Sequence, residues 1–181
     1  MVAKQIADMI TIARGFLLVI FPWLGITQGR ASLPWAAVLL AADWTGDILD
    51  GALAKRSGIK QQTWVGAHDL EIDMVVSLGM LVYLITTNML SLPVALIYLL
   101  IWAAFFLRSG IPTSLGMLFQ APIYGWFIYI SLIHATSAGL MLVAWVLAAV
   151  VITWPRFPQQ VIPGFLSGIR EFLMRDHHPE E

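Results

Sequence analysis

The sequence predicts an all-α protein, an integral membrane bundle of six transmembrane helices with its functional site on the cytoplasmic side. Hydrophobic side chains make up 59% of the 181 residues and charged side chains 12%, against roughly 45–50% and roughly 25% in soluble globular proteins. Mean hydropathy is +0.81. The long apolar runs lack period-two alternation, which favours helices over a closed barrel. This composition excludes a disordered chain, a coiled coil and an ordinary soluble enzyme.

Six apolar segments reach, or nearly reach, the roughly 17–25 helical residues that cross a hydrocarbon core. Short connectors that contain Gly29 and Gly110 separate neighbouring segments. The fourth segment is the shortest. The predicted spans are residues 10–27, 32–54, 65–88, 92–107, 112–134 and 136–154.

The chain divides into two predicted parts. Residues 1–154 form the six-helix transmembrane domain, and residues 155–181 form a cytoplasmic tail. Pro155, Pro158 and Pro163 would break any helix that continued into the tail. Apolar residues then recur at helical spacing, so we expect a short amphipathic helix that lies on the membrane surface or packs against the bundle.

The distribution of Lys and Arg predicts the orientation. With six spans, nine of the ten basic residues fall on the side of the two termini and one, Arg30, on the other. Because cytoplasmic loops carry the excess of basic residues, both termini and the active site are expected to face the cytoplasm, at the plasma (inner) membrane. Membrane lipids are expected partners, and a net charge of −1 gives no indication of nucleic-acid binding.

Acidic residues are concentrated in two otherwise apolar helices. A carboxylate at the bilayer centre costs at least ~2.5–3.5 kcal/mol on insertion scales, so such a concentration requires shallow depth, water or a cation. At 1.5 Å per residue, Asp47 lies about 22 Å along a helix that starts near Ser32, close to its cytoplasmic end. The six acids are Asp43, Asp47, Asp50, Asp69, Glu71 and Asp73.

Helical spacing places five of these acids on two faces. The intervals of four and three residues align Asp43, Asp47 and Asp50. An interval of four aligns Asp69 with Asp73 on the next helix. Like charges this close need a counter-charge, and hard cations such as Mg²⁺, Mn²⁺ or Ca²⁺ prefer oxygen ligands. The pattern predicts a divalent-cation site, the alternative being salt bridges to nearby bases alone.

Three neighbouring residues have interpretations of their own. Glu71 points roughly 160° away from Asp69 at 100° per residue, so it is expected to face elsewhere. His68 is expected to make a local hydrogen bond rather than to bind a metal. Arg14, inside the first helix, either extends to the cytoplasm or pairs with the acids or with a phosphate.

Small and basic residues beside the acids form a pattern suited to a diphosphate. Gly51 and Ala54 present small surfaces next to Asp50, and Lys55 and Arg56 follow at the helix end. A metal with a Lys or Arg beside carboxylates can hold a diphosphate and stabilise charge in phosphoryl transfer.

At these residues the chain resembles the CDP-alcohol phosphatidyltransferase family. The family signature is D-x2-D-G-x2-A-R-x8-G-x3-D-x3-D, across the second and third helices. Lys55 occupies the usual Arg position, Arg56 follows it, and one extra residue lies between Ala54 and Asp69. The residues that match in type and order are Asp47, Asp50, Gly51, Ala54, Asp69 and Asp73.

The resemblance extends to the first helix, where family members often carry N-x-x-T-x-x-R. This chain has Asp8, Thr11 and Arg14 there, with Asp in place of Asn. The resemblance implies a substrate-binding set of Thr11, Arg14, Gly51, Ala54, Lys55, Arg56 and Arg108. Arg108 either determines topology only or contacts a phosphate of the acceptor.

The resemblance also implies a reaction. Asp47, Asp50 and Asp69 would be metal ligands, and Asp73 the general base, touching the metal as well. The expected cofactor is Mg²⁺ or Mn²⁺, as one or two ions. A phosphatidyl group would pass from a CDP-linked lipid such as CDP-diacylglycerol to an alcohol acceptor, with release of CMP, and the protein would be a homodimer.

Three alternatives remain open from the sequence. A CDP-linked polar alcohol, such as CDP-choline or CDP-ethanolamine, could donate to diacylglycerol. The acids could instead line the pathway of a divalent-cation transporter, although such pathways place charges near the bilayer midplane. The third alternative is a family member that binds the nucleotide-linked lipid but does not turn it over.

Overall fold

The structure is a computed structural model that describes residues 2–56, 63–155, 159, 163, 166 and 167. All regular elements within those residues are helical, which confirms the predicted fold class. A 3₁₀ turn over Gly29–Ser32 joins the second and third helices. The α-helices are α1 Val2–Gly15, α2 Leu17–Gln28, α3 Leu33–Arg56, α4 Trp64–Ala67, α5 Asp69–Thr86, α6 Leu92–Ser109, α7 Thr113–His134 and α8 Thr136–Ile152.

Three stretches of the described residues are long and apolar enough to cross a membrane. They are Ala3–Arg56, which contains α1 to α3, together with Leu92–Ser109 and Thr113–His134, and the apolar α8 is shorter. Helix α5 has 18 residues, but its first turns carry the acids of the third predicted span. The predicted number of six spans is therefore not confirmed, and the orientation in the membrane stays a prediction.

Two predicted spans are divided in the structure. The first begins earlier than expected, at the start of α1, and changes helix at Phe16, whose N–H donates to the carbonyl of Ala13 at 3.3 Å. The third is interrupted at His68, where φ is −113° and ψ is 22°. This interruption makes Asp69 the first residue of α5. Most of the predicted amphipathic tail helix lies outside the described residues.

Helix α5 lies at the centre of the bundle and packs against α1, α2 and α7. Gly79 allows the close contact with α2, because a Cβ there would lie 2.7 Å from the Cα of Leu18. Small residues permit such close approach between membrane helices. Helix α6 differs, since Ala95 is its one buried residue. The tightly packed α1, α2, α3 and α5 thus form the framework that positions the acidic residues.

Candidate active site

Helices α1, α3 and α5 bring five aspartates together in what we call the aspartate cluster. It consists of Asp43, Asp47, Asp50, Asp69 and Asp73. The Asp43 and Asp50 side chains are 2% and 6% exposed, whereas those of Asp47 and Asp69 are 46% and 40% exposed. The cluster therefore extends from a buried inner part to an open outer part.

Arg14 of α1 lies at the centre of the cluster, with a side chain that is 6% exposed. This decides between the two interpretations of Arg14, because the guanidinium pairs with the acids. Its contacts are Nε to Asp43 Oδ1 at 2.9 Å, Nη1 to Asp47 Oδ1 at 3.2 Å, Nη1 to Asp50 Oδ2 at 3.1 Å, Nη1 to Asp69 Oδ1 at 3.7 Å, and Nη2 to Asp73 Oδ1.

Two small residues position the arginine and one of its partners. The hydroxyl of Thr11 donates to Asp50 Oδ2 at 2.8 Å. Gly46 is buried against the stem of Arg14, since a Cβ there would lie 3.0 Å from the Arg14 Cδ. A glycine at this position therefore allows Arg14 of α1 to approach α3 closely.

Three of the four predicted metal ligands form a compact triad. One carboxylate oxygen each of Asp47, Asp69 and Asp73 lies within 4.8 Å of the others. Asp50 does not belong to this triad; its Oδ2 accepts hydrogen bonds from Thr11 and Arg14. Its expected role as a direct ligand stays a prediction.

The triad has the chemistry of a divalent-cation site. Asp69 Oδ1 is buried and accepts no hydrogen bond, although a buried acceptor without a partner is costly. An ion held by the triad would provide that partner, and hard cations take carboxylate oxygens as ligands. The residues present therefore fit Mg²⁺ or Mn²⁺, with Asp47, Asp69 and Asp73 as the ligands.

An apolar groove of about 450 Å³ opens beside the triad, between α3 and α8. The ring centroids of Trp44 and Trp145 lie 5.2 Å apart, and Trp145 Nε1 donates to Thr45 Oγ1 at 3.0 Å. The groove is lined by Trp44, Asp47, Ile48, Trp145, Val146, Ala149, Val150 and Thr153. Sequence reasoning missed this groove, because it depends on the pairing of two helices that are far apart in the chain.

The remaining predicted substrate-binding residues lie toward the C-terminal ends of α3 and α6. Gly51 faces open space, since a Cβ there would meet no atom within 4 Å, and Ala54 is half-buried. Lys55 and Arg56 are exposed in the last turn of α3. Arg108 is exposed in the last turn of α6.

The two neighbours that were expected to stay out of the site do so. Glu71 is exposed and does not belong to the triad. His68 Nδ1 lies 2.8 Å from the carbonyl oxygen of Trp64, which is the predicted local hydrogen bond.

One positioning contact was not predicted. The hydroxyl of Thr63 donates to Asp8 Oδ1 at 2.8 Å and accepts from the N–H of Gly66 at 3.2 Å. Thr63 thereby links α1 to the short α4 that precedes Asp69. The sequence offered one signal for this contact, the Asp8 that replaces the usual Asn. Its partner could not be identified from the sequence, because Thr63 lies 55 residues away.

The comparison with protein families identifies the family of the chain. The family model described as CDP-alcohol phosphatidyltransferase matches residues 4–154. No curated protein and no solved structure matches the chain. Because the family match covers most of the sequence and includes all five aspartates, the chain belongs to the CDP-alcohol phosphatidyltransferase family.

Proposed function

We propose that this member of the family transfers a phosphatidyl group from a CDP-linked lipid, such as CDP-diacylglycerol, to an alcohol acceptor and releases CMP. Membership implies transfer of a phosphate-linked group from a CDP-alcohol. The observation that carries the proposal is the triad of Asp47, Asp69 and Asp73, whose oxygens lie within 4.8 Å of one another. Its buried Asp69 oxygen has no hydrogen-bond partner, as expected of a metal ligand.

The proposed cofactor is Mg²⁺ or Mn²⁺, held by Asp47, Asp69 and Asp73. When bound, it would offset negative charge on the phosphoryl oxygens and on the CMP leaving group. Lys55 and Arg56 at the end of α3 are proposed to bind the diphosphate. Gly51, which faces open space, provides room for the cytidine.

Asp73 is the proposed general base. Its carboxylate takes the proton of the acceptor hydroxyl as the acceptor oxygen bonds to the phosphorus that carries the lipid alcohol. The bond from that phosphorus to the oxygen of CMP breaks, and CMP leaves with the electron pair. Asp73 is suited to this role because its side chain is 24% exposed, so an acceptor can reach it from the open part of the site.

The groove beside Asp47 supports a lipid as the donor. It has a volume of about 450 Å³, and most of its lining residues are apolar. An acyl chain in the groove would leave the diphosphate next to the triad. If the donor were a CDP-linked polar alcohol, the groove would instead hold the second substrate, diacylglycerol. The assay therefore has to distinguish these two choices of donor.

Release of CMP by the purified full-length protein in detergent tests the proposal. CDP-diacylglycerol is offered with a panel of acceptors, first glycerol 3-phosphate and inositol phosphate, with Mn²⁺ or with EDTA. A parallel assay offers CDP-choline or CDP-ethanolamine with diacylglycerol. We expect cation-dependent release from CDP-diacylglycerol, and release in the parallel assay alone would reverse the substrate assignment.

Two variants identify the site in the same assay. Asp69→Asn should abolish most CMP release, because it weakens the triad. Glu71→Gln is the matched control, since Glu71 is an exposed acid two residues away on another face of α5. Equal rates for Asp69→Asn and the wild type would contradict the proposal, as would cation flux into liposomes without any turnover of CDP-lipid.

The cytoplasmic orientation and the homodimer belong to the same proposal. Because the chain contains no Cys, single cysteines can report which side each helix end faces. With a membrane-impermeant maleimide, Arg56→Cys should be labelled from the cytoplasm and Gln28→Cys from the opposite side. Crosslinking in native membranes would test the dimer.

A further inference from the structure

Arg14 makes more contacts with the protein than binding a substrate would require. Its guanidinium is almost fully buried and reaches all five members of the aspartate cluster. These carboxylates come from two helices, and Arg14 comes from a third. The guanidinium of Arg14 thus links α1 to α3 and α5 at the point where the proposed metal ion would bind.

The two ends of the guanidinium have different partners. Nε donates to Asp43 at 2.9 Å, and Asp43 is the most buried acid of the cluster and lies outside the triad. Nη1 donates to Asp50, also outside the triad, at 3.1 Å, and Nη1 and Nη2 both face the triad of Asp47, Asp69 and Asp73. Nε can therefore keep its partner even when the terminal nitrogens give up theirs.

The backbone around the arginine is built to admit it. Gly46 lies beside the arginine stem, where a Cβ would approach the Arg14 Cδ to 3.0 Å and Ile10 Cγ2 to 3.3 Å. An arginine that only paired at the surface would not require a glycine on the facing helix. This packing holds the guanidinium inside the cluster.

We propose that Arg14 is a positioning residue that acts as an internal counter-ion: it holds the triad together in the metal-free enzyme and competes with the divalent cation for Asp47, Asp69 and Asp73. Asp43 retains the guanidinium when the ion binds. The inference rests on the proposed function in one respect, namely that the triad binds a divalent cation.

The positive charge of Arg14 supports competition with the divalent cation rather than assistance of its binding. A guanidinium stays protonated in proteins, so an ion that enters the triad meets a fixed positive charge within a few ångströms. Arg14 Nη1 is 3.7 Å from the very oxygen of Asp69 that has no hydrogen-bond partner. Removing the guanidinium should therefore tighten binding of the ion while it destabilises the metal-free protein.

The experiment measures Mn²⁺ binding directly, without any CDP-lipid. Full-length protein in detergent is stripped with EDTA, the chelator is removed, and free Mn²⁺ is followed by electron paramagnetic resonance during a titration. We expect Arg14→Gln to lower the Mn²⁺ dissociation constant about tenfold, because a nearby positive charge is removed. Its melting temperature without metal should fall, and Mn²⁺ should raise that temperature more than in the wild type.

A charge-matched variant separates competition from a general effect of charge. The double variant Arg14→Gln with Asp43→Asn removes one positive and one negative charge, so the cluster keeps the net charge of the wild type. We expect it to bind Mn²⁺ more tightly than the wild type, since the competing donor is gone. Arg30→Gln, which removes an arginine at the other end of the bundle, should leave Mn²⁺ binding unchanged.

The conservative variant covers the case in which Arg14→Gln does not fold. Arg14→Lys keeps the charge but not the branched set of donors, so its Mn²⁺ affinity should stay near that of the wild type while its metal-free melting temperature falls. Unchanged or weaker Mn²⁺ binding in both Arg14→Gln and the double variant would overturn the inference. If Arg14→Gln or the double variant cannot be purified, an unchanged metal-free melting temperature of Arg14→Lys would overturn the inference instead.

The two proposals fail in different ways. If the Mn²⁺ isotherms shift as expected but no acceptor supports CMP release, the proposed function is wrong and the role of Arg14 stands. If CMP release is normal but Arg14→Gln leaves the Mn²⁺ affinity unchanged, the proposed function stands and the role of Arg14 is wrong.

Discussion

The two ends of the helix bundle each hold an arginine, but only one of them has more acids than cations. At the end with the aspartate cluster, Arg14 faces five carboxylates, and the buried Asp69 Oδ1, 3.7 Å from Arg14 Nη1, accepts no hydrogen bond. At the other end, Arg30 donates to the backbone carbonyls of Thr87 and Asn88 at 3.1 Å and 3.0 Å. In the first arrangement the acids outnumber the one arginine that contacts them, whereas in the second the arginine is paired with backbone carbonyls of the protein.

Hydroxyl groups show the same difference. Ser32 and Tyr83, buried at the end with Arg30, share a hydrogen bond at 3.1 Å, and Ser32 also donates to the carbonyl of Gly29 at 2.6 Å. At the cluster, the hydroxyl of Thr11 donates to Asp50, which also accepts from Arg14, and Asp69 Oδ1 still accepts no hydrogen bond. Polar groups that satisfy one another stabilise the fold, and an excess of acceptors indicates a site that binds a ligand.

The largest effect should come from Asp73→Asn. Loss of a general base typically costs 10²–10⁴-fold in rate, so we expect CMP release to fall by about a thousandfold. The protein should still fold, because Asn remains able to accept a hydrogen bond from Arg14. The measurement is the initial rate of CMP release with Mn²⁺, and a rate within about threefold of the wild type would remove Asp73 as the base.

Between the two ends, Gly79→Ala should weaken the contact of α5 with α2. The added Cβ would lie 2.7 Å from backbone of Leu18, and overpacking of this kind costs about 1–3 kcal/mol. Gly125→Ala is the control, because a Cβ there meets no atom within 4 Å. Melting temperatures in detergent should fall for the first variant only; equal values would show that the helices separate easily at this point.

At the end with Arg30, Arg30→Gln should reduce stability without reducing activity. A hydrogen bond from a charged group contributes about 1.5–3 kcal/mol, and the exposure of Arg30 favours the low end of that range. CMP release per folded molecule should equal that of the wild type. A loss of activity at unchanged stability would mean that this end also contributes to the reaction.

The smallest effect should come from Tyr83→Phe, which removes the hydroxyl bonded to Ser32. A neutral hydrogen bond contributes about 1 kcal/mol, and Ser32 keeps its bond to Gly29. A modest fall in melting temperature with unchanged CMP release is expected. A larger fall would indicate that the hydroxyl pair contributes to the position of α5 as well as to local stability.

Much of the site could be predicted because it follows from local spacing. Intervals of three and four residues align Asp43 with Asp47 and Asp50 on α3, and Asp69 with Asp73 on α5, whatever the helices pack against. The same rule turns Glu71 away from the cluster, as observed. The bounds of α6, α7 and α8 are close to those predicted, because Gly110 and the long apolar runs are themselves local signals.

Other features could not be predicted, because they join residues far apart in the chain. Arg14 and its hydrogen-bond partners are separated by 29 to 59 residues, and spacing could not decide whether the guanidinium faces the acids or the cytoplasm. The contact of Thr63 with Asp8 in α1, just before the division of the third span at His68, joins residues 55 positions apart. The groove beside Asp47 exists only because α8 packs against α3.

The sequence by itself determined that the protein is helical and apolar and that its aspartates lie on matching faces of two helices, since backbone hydrogen bonding and helical period act within each segment. Only the tertiary structure decided that Arg14 lies among these acids, that Thr11 bonds to Asp50, and that Asp47, Asp69 and Asp73 form the open triad. Those choices depend on how α1 packs against α3 and α5, and packing between helices is set by the shapes of all the surfaces in contact.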